Sequence, residues 1–189
     1  MLKIDQILDN KVKYLTLLAD LNVDLTDFTK YLDAVDYFNK PASTNFFRAY
    51  PGGLCQHALD LYKELSILAD AYFPGKYTKE DIIKVALFKD LYRAELYEGY
   101  DKNVLENGNW VATKAYKYRD NRPTFGDLGF SSYMVAKHFF DFTDEQIEAI
   151  TQADSRESYN GDIHDILRSY PLVTLTRMAD LAATYLEEN

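Results

Sequence analysis

The stretch Ala86-Leu87-Phe88-Lys89-Asp90-Leu91-Tyr92-Arg93 sets an ammonium inside an apolar run. Thr78-Lys79-Glu80-Asp81 upstream reads as a capped helix start, with acids in the first turn where the helix dipole favours them. The spacing predicts a helix running from there through Leu96. Ile82, Val85, Ala86, Lys89, Tyr92, Arg93 and Leu96 share one broad face, and Ile83, Leu87, Asp90, Leu91 and Ala94 the adjoining one. A helix that is apolar most of the way round is a buried one, so Lys89, Asp90 and Arg93 cluster where a core helix offers no water. Desolvating an unpaired lysine is costly. Lys89 must therefore snorkel to solvent, lose its proton, or meet a carboxylate that holds it.

Outward from this segment, apolar spacings of three and four dominate. Ile4, Ile7, Leu8, Leu15 and Leu18 predict a first amphipathic helix over about residues 3–20. Thr26 caps a second, with Phe28, Tyr31, Leu32 and Val35 inward, ending near Asn39-Lys40-Pro41, where proline disfavours helix in the residue before it. After the loop from Pro41 to Gly53, a third helix carries Leu54, His57, Ala58, Leu61, Leu65 and Leu68, which puts His57 on the inward stripe. Asn107-Gly108 between the β-prone runs 104–106 and 109–111 is a hairpin signal and predicts a small two-stranded insert. Further helices are expected near 131–141, after the box Thr143-Asp144-Glu145-Gln146, near 162–168, and from Ser169-Tyr170-Pro171 through Leu172, Leu175, Met178, Ala179, Ala182 and Tyr185.

The expected fold is mostly α: one helical domain over 1–189, with a hairpin insert and with residues 1–40 packed as an N-terminal extension on a core of 41–188. A chain of 189 residues suits one well-filled core. The absence of an apolar run of about 18 residues, and an N-terminus that alternates charge with apolar residues, argue for a cytoplasmic protein with no membrane span. The single Cys55 excludes an internal disulfide or thiolate metal cluster and reads as a packed thiol. A net charge of -9 argues against generic binding to nucleic-acid backbone, which depends on lysine and arginine displacing counterions, and leaves room only for a local basic pocket. The 16 Tyr and 11 Phe, without an interleaved basic stripe, read as packing residues before base-stacking ones.

His57, the Lys89-Asp90 pair and Asp180 are inward polar residues on three different helices, the makings of a site. At this point PASTNFFRAYPGGLCQHALDLY, ALFKDLYR and LTRMADLAATYLEE, in that order, resemble the motifs of the HD-domain metal-dependent phosphohydrolases, and in particular the small single-domain phage-type members. The resemblance covers residues 41–188 and implies an HD-like helical bundle. It implies that His57, Asp90 and Asp180 occupy metal-ligand positions, for Mn, Ni, Zn or Mg, and that Lys89 stands where the family has the histidine of its His-Asp pair. An imidazole or carboxylate offers a lone pair to a cation; an ammonium offers three donors and a like charge. Asp127, Ala153 and Phe47-Arg48 also stand where active relatives carry histidines.

These departures imply a remnant pocket of His57, Lys89, Asp90 and Asp180 without metal-dependent hydrolysis, the ammonium replacing the metal between Asp90 and Asp180. No metal or other cofactor is then expected, and the function becomes binding a partner protein or a small phosphorylated or nucleotide ligand, with Arg48, Arg93 and Lys89 as phosphate-binding candidates. A phage protein of this kind would work in the host cytoplasm, on a host process. The alternative is an active HD-type nucleotide phosphohydrolase with an altered metal site, in which Lys89 acts on phosphate and Asp127 or Asp90 orients water; Asp127 and Asp154 could also hold magnesium in a rebuilt site. Taken singly, each residue has a plainer reading: His57 a hydrogen-bonded core histidine, Asp180 a partner of Arg177, Asp90 a partner of Arg93, His138 and His164 surface or packing residues. A third possibility is a structural or oligomer-forming component whose contact surface includes Tyr14, Tyr31, Phe38 and Tyr100.

Overall fold

The computed structural model describes residues 2–106, 108–121, 126–153 and 163–186. The fold is mostly α-helical with one two-stranded antiparallel sheet. The helices are α1 (Ile4–Ala19), α2 (Thr26–Ala34), a single 3-10 turn at Tyr37–Asn39, α3 (Gly53–Tyr72), α4 (Lys79–Phe88), α5 (Arg93–Leu96), α6 (Leu128–Ala136), α7 (Asp144–Gln152), α8 (Ile163–Ser169) and α9 (Pro171–Tyr185). Among the described residues no helix is long and apolar enough to cross a membrane.

α3 is the central element and packs against α4 and α9, while α7 bridges α6 and α9. Of its expected inward stripe, Leu54, His57, Ala58, Leu61 and Leu65 are buried and Leu68 is half-buried. Residues before Pro41 join the same core: Tyr14, Leu18, Phe28 and Leu32 cluster with Leu54, Leu61, Ile83 and Phe88. Phe28 alone packs its ring on Phe88, Phe139 and Phe140.

Local signals account for the element starts. Thr78 and Asp81 form a reciprocal capping box on α4, and Thr143 and Gln146 form another on α7. Pro171 opens α9, where its missing N–H costs nothing. The hairpin is longer than the sequence suggests: β1 (Tyr97–Glu106) and β2 (Asn109–Tyr118) pair from Tyr97 with Tyr118 to Glu106 with Asn109, and Gly108 takes the left-handed conformation that the tight turn requires.

Several expectations are corrected. The α4 helix stops at Phe88 instead of running to Leu96. Beyond it Leu91 and Arg93 bond three residues back, to the carbonyls of Phe88 and Asp90, and the amide of Tyr92 donates to Ser132 Oγ on α6, so packing on α6 takes over a bond that a continuous helix would use. On α1 the buried positions are Asn10, Tyr14 and Leu18, with Ile7 and Leu15 half-buried, whereas Ile4 and Leu8 are exposed; Tyr14 reaches across to donate to the Leu87 carbonyl. Thr26 is the first residue of α2 and not its cap; the side chain of Asp24 accepts from its amide. The helix expected near 131–141 starts earlier, at Leu128, because Asp127 caps it, and ends at Ala136. Tyr14 and Phe38 are buried and Tyr31 half-buried, so of the four proposed surface aromatics only Tyr100 is exposed.

Candidate functional site

The site is assembled around the start of α3. Gly52 adopts a left-handed φ of +82°, and the next residue has no room for a side chain, since a Cβ on Gly53 would lie 2.2 Å from the Arg48 carbonyl oxygen. The first residue of α3 is therefore glycine, and Gly52 before it supplies the left-handed turn. It folds the loop back so that Arg48, itself at φ +45°, lies over the first turns of α3. From there the guanidinium donates to Nδ1 of His57 at 3.0 Å and pairs with Asp60 at 2.7 Å. His57 and Asp60 are three residues apart and share a helix face, which one planar guanidinium spans.

The other ring nitrogen, Nε2 of His57, is 3.0 Å from Asp180 Oδ1 on α9 and 3.3 Å from Asp90 Oδ2 at the end of α4. Lys89 is wholly buried, and its Nζ lies 3.2 Å from both of those carboxylates. Arg93 closes the far side through Nε to Asp90 and through Nη1 to Tyr97 Oη and the Ala42 carbonyl, each at 3.2 Å. Three carboxylates, Asp60, Asp90 and Asp180, thus face three cations, Arg48, Lys89 and Arg93, around one imidazole.

Burial opposes the charged form of Asp90, but Arg93, Lys89 and His57 outweigh it and hold its carboxyl well below the usual range. Burial likewise works against ionised Asp180, and Lys89 and His57 again prevail and lower its pKa. For His57 burial favours the neutral ring, and the Asp180 and Asp90 carboxylates raise its pKa against that. Arg48 acts in the opposite sense. A guanidinium only donates, so Nδ1 must present its lone pair, and the proton sits on Nε2 facing Asp180. A doubly protonated ring would set an N–H against the guanidinium, so we assign the neutral Nε2–H tautomer, which satisfies all its neighbours.

One ligand atom from each of His57, Asp90 and Asp180 lies within 4.8 Å of the others, the compactness a divalent cation needs. The chemistry of the set does not fit one. A histidine that binds metal through Nε2 carries its proton on Nδ1 and donates it to a carboxylate or carbonyl. Here Nδ1 faces a donor, Nε2 carries the proton, and an ammonium lies between the two carboxylates.

Of the phosphate-binding candidates, Arg48 and Lys89 are buried and engaged by carboxylates, while Arg93 borders a cleft of about 440 Å³ beside the network. Asp127 also lines that cleft and caps α6 by accepting from the Phe130 amide. Asp180 is drawn to His57 and Lys89, and Arg177 instead donates to the Gln152 carbonyl. Asp90 does pair with Arg93. Ala153 follows α7, His138 and His164 are exposed, and Asp154 lies outside the described residues. Sequence reasoning missed Asp60, Gln56 and Asn10: Gln56 donates to Asp60 at 2.8 Å and accepts from buried Asn10 at 2.7 Å, tying α1 to the network. The signals were present, Asp60 at three residues from His57 and Asn10 in register with Tyr14 and Leu18.

Compared with known protein families, curated proteins and solved structures, the chain matches none.

Proposed function

We propose that this chain is an HD-type helical protein in which Lys89 has taken the place of a divalent cation, and that it works by binding a partner or ligand and not by metal-dependent phosphohydrolysis. The observation that carries this reading is the buried Lys89 ammonium, 3.2 Å from Asp90 and from Asp180. An intact site would use its metal to acidify a water and polarise a phosphoryl oxygen. The ammonium supplies charge neutralisation without a coordination position for water. The balance of three carboxylates against three cations supports the same reading, because a divalent ion added to it would bring two uncompensated charges into a buried place.

The test is metal content together with turnover. Purified protein equilibrated with manganese, nickel, zinc or magnesium is expected to hold no stoichiometric ion, and a panel of deoxynucleotides is expected to remain unhydrolysed with each. Stoichiometric metal together with metal-dependent release of phosphate returns the chain to the nucleotide phosphohydrolases. That second reading is favoured by the compact His57, Asp90 and Asp180 triad.

A further inference from the structure

The hairpin of β1 and β2 is a ribbon that packs chiefly on itself. Beyond its base it stands in solvent, with residues 99–103 of β1 and 109–112 of β2 exposed. Its ion pairs, Glu98 with Lys117 and Asp101 with Lys114, run from strand to strand. A two-stranded ribbon has no core of its own, so the contacts at its base decide where it points. There Tyr97 is buried; its hydroxyl accepts from Nη1 of Arg93 at 3.2 Å, and its carbonyl accepts from Lys40 Nζ at 3.4 Å. The amide of Arg119 returns the chain to the body by donating to the Leu96 carbonyl at 2.9 Å. The Tyr97 and Tyr118 rings pack 5.3 Å apart, and Tyr118 lines a hollow of about 160 Å³ together with Leu96 and Leu128. Leu128 also lines the larger cleft beside the buried network.

Arg93 belongs to the ribbon's base and to the network at once. Its Nε donates to Asp90, and its Nη1 is shared between the Tyr97 hydroxyl and the Ala42 carbonyl. A guanidinium is planar and rigid, so these donors cannot be aimed separately. Whatever tilts it on Asp90 therefore moves the proton that Tyr97 accepts. We propose that the ribbon is a hinged arm, and that Arg93 is the positioning residue that sets its angle from the state of the buried network. The hinge is the single turn of α5 with Tyr97 and Tyr118. A swing of the arm displaces Tyr118 and reshapes the hollow that adjoins the cleft. The coupling is reciprocal, so a partner that grips the ribbon acts on Asp90 through the same guanidinium. The inference uses only the contacts of Arg93 and does not depend on the metal-free reading of the network.

Backbone nitrogen-15 relaxation and amide hydrogen exchange of the full chain test it together. Tyr97→Phe removes one hydroxyl and keeps the ring. It is expected to lower the order parameters of both strands in concert, from about 0.85 toward about 0.6, or to raise relaxation dispersion across both strands where the swing is slower. The cross-strand amides should stay as protected as in the parent, because the ribbon moves as a unit. Arg93→Lys keeps a cation beside Asp90 but loses the rigid fork, and should act alike. Asp90→Asn should loosen the ribbon of the parent and add nothing in the Tyr97→Phe background, since both changes break one chain of contacts. Where Asp90→Asn does not fold, the Arg93 Nε–H resonance of Tyr97→Phe supplies the second reading and should shift from its position in the parent. Unchanged relaxation in both Tyr97→Phe and Arg93→Lys overturns the proposal. So does a loss confined to Tyr97 and Tyr118, a loss of cross-strand protection, an additive effect of Asp90→Asn, or an unshifted Arg93 resonance.

Discussion

Nη1 of Arg48 lies 3.0 Å from Nδ1 of His57, so an obligate donor occupies the nitrogen that a metal-binding histidine would use to donate. The consequence is a neutral ring with its proton on Nε2. Nitrogen-15 chemical shifts of the His57 ring at neutral pH should show a bare Nδ1 and a protonated Nε2, and Arg48→Ala should loosen that preference. A proton found on Nδ1 in the parent protein contradicts the assignment.

Lys89 holds two buried carboxylates together, so truncating it leaves charge without a partner. Lys89→Ala is expected to cost about 3–5 kcal/mol in urea unfolding. It also vacates the space between Asp90 and Asp180, so manganese should raise the melting temperature of Lys89→Ala and leave that of the parent unchanged. Lys89→Met fills the space with an apolar chain and should show little metal rescue. An equal response of all three proteins to manganese counts against Lys89 as the substitute cation.

Asp90 and Asp180 both have pKa values lowered by folding. Carboxyls of this kind stabilise the folded state fully above their ordinary value of about 3.9 and lose that contribution as pH falls through the lower folded-state values. Stability followed by urea titration should therefore show little contribution from these groups to its slope between neutrality and about pH 5 and drop steeply below about pH 4. Asp180→Asn should be less stable at neutral pH and show a shallower acid drop.

Gly53→Ala places a methyl group against the Arg48 carbonyl, which is backbone and cannot swing aside. The expected loss is about 2 kcal/mol or more. It should be accompanied by a changed His57 ring spectrum, because the loop that positions the guanidinium must move. Gly75→Ala is the comparison: nothing lies near its added carbon, so only the strain of its positive φ remains and the His57 spectrum should be unaffected.

The elements were legible wherever the determining chemistry is local. The Thr78 and Thr143 boxes, Pro171 and Gly108 act within a few residues, and they set the starts of α4, α7 and α9 and the position of the hairpin. Helical periodicity was enough to turn His57 inward on α3. On α1 it placed Leu18, Ile7 and Leu15 toward the core but also Ile4 and Leu8, which are exposed, and it missed Tyr14, whose hydroxyl reaches the Leu87 carbonyl 73 residues away.

By itself the sequence determined a mostly helical chain with one hairpin and with inward polar residues on α3, at the end of α4 and on α9. The resemblance placed Lys89 between Asp90 and Asp180; only the tertiary structure gave Arg48 to His57 and Asp60. Lys89 pairs with its neighbour Asp90 and also lies beside Asp180, 91 residues away, because α3 packs against both α4 and α9. Partners across such distances are chosen by the geometry of packed helices and by the cost of leaving any one charge alone, and neither is written in a local stretch of residues.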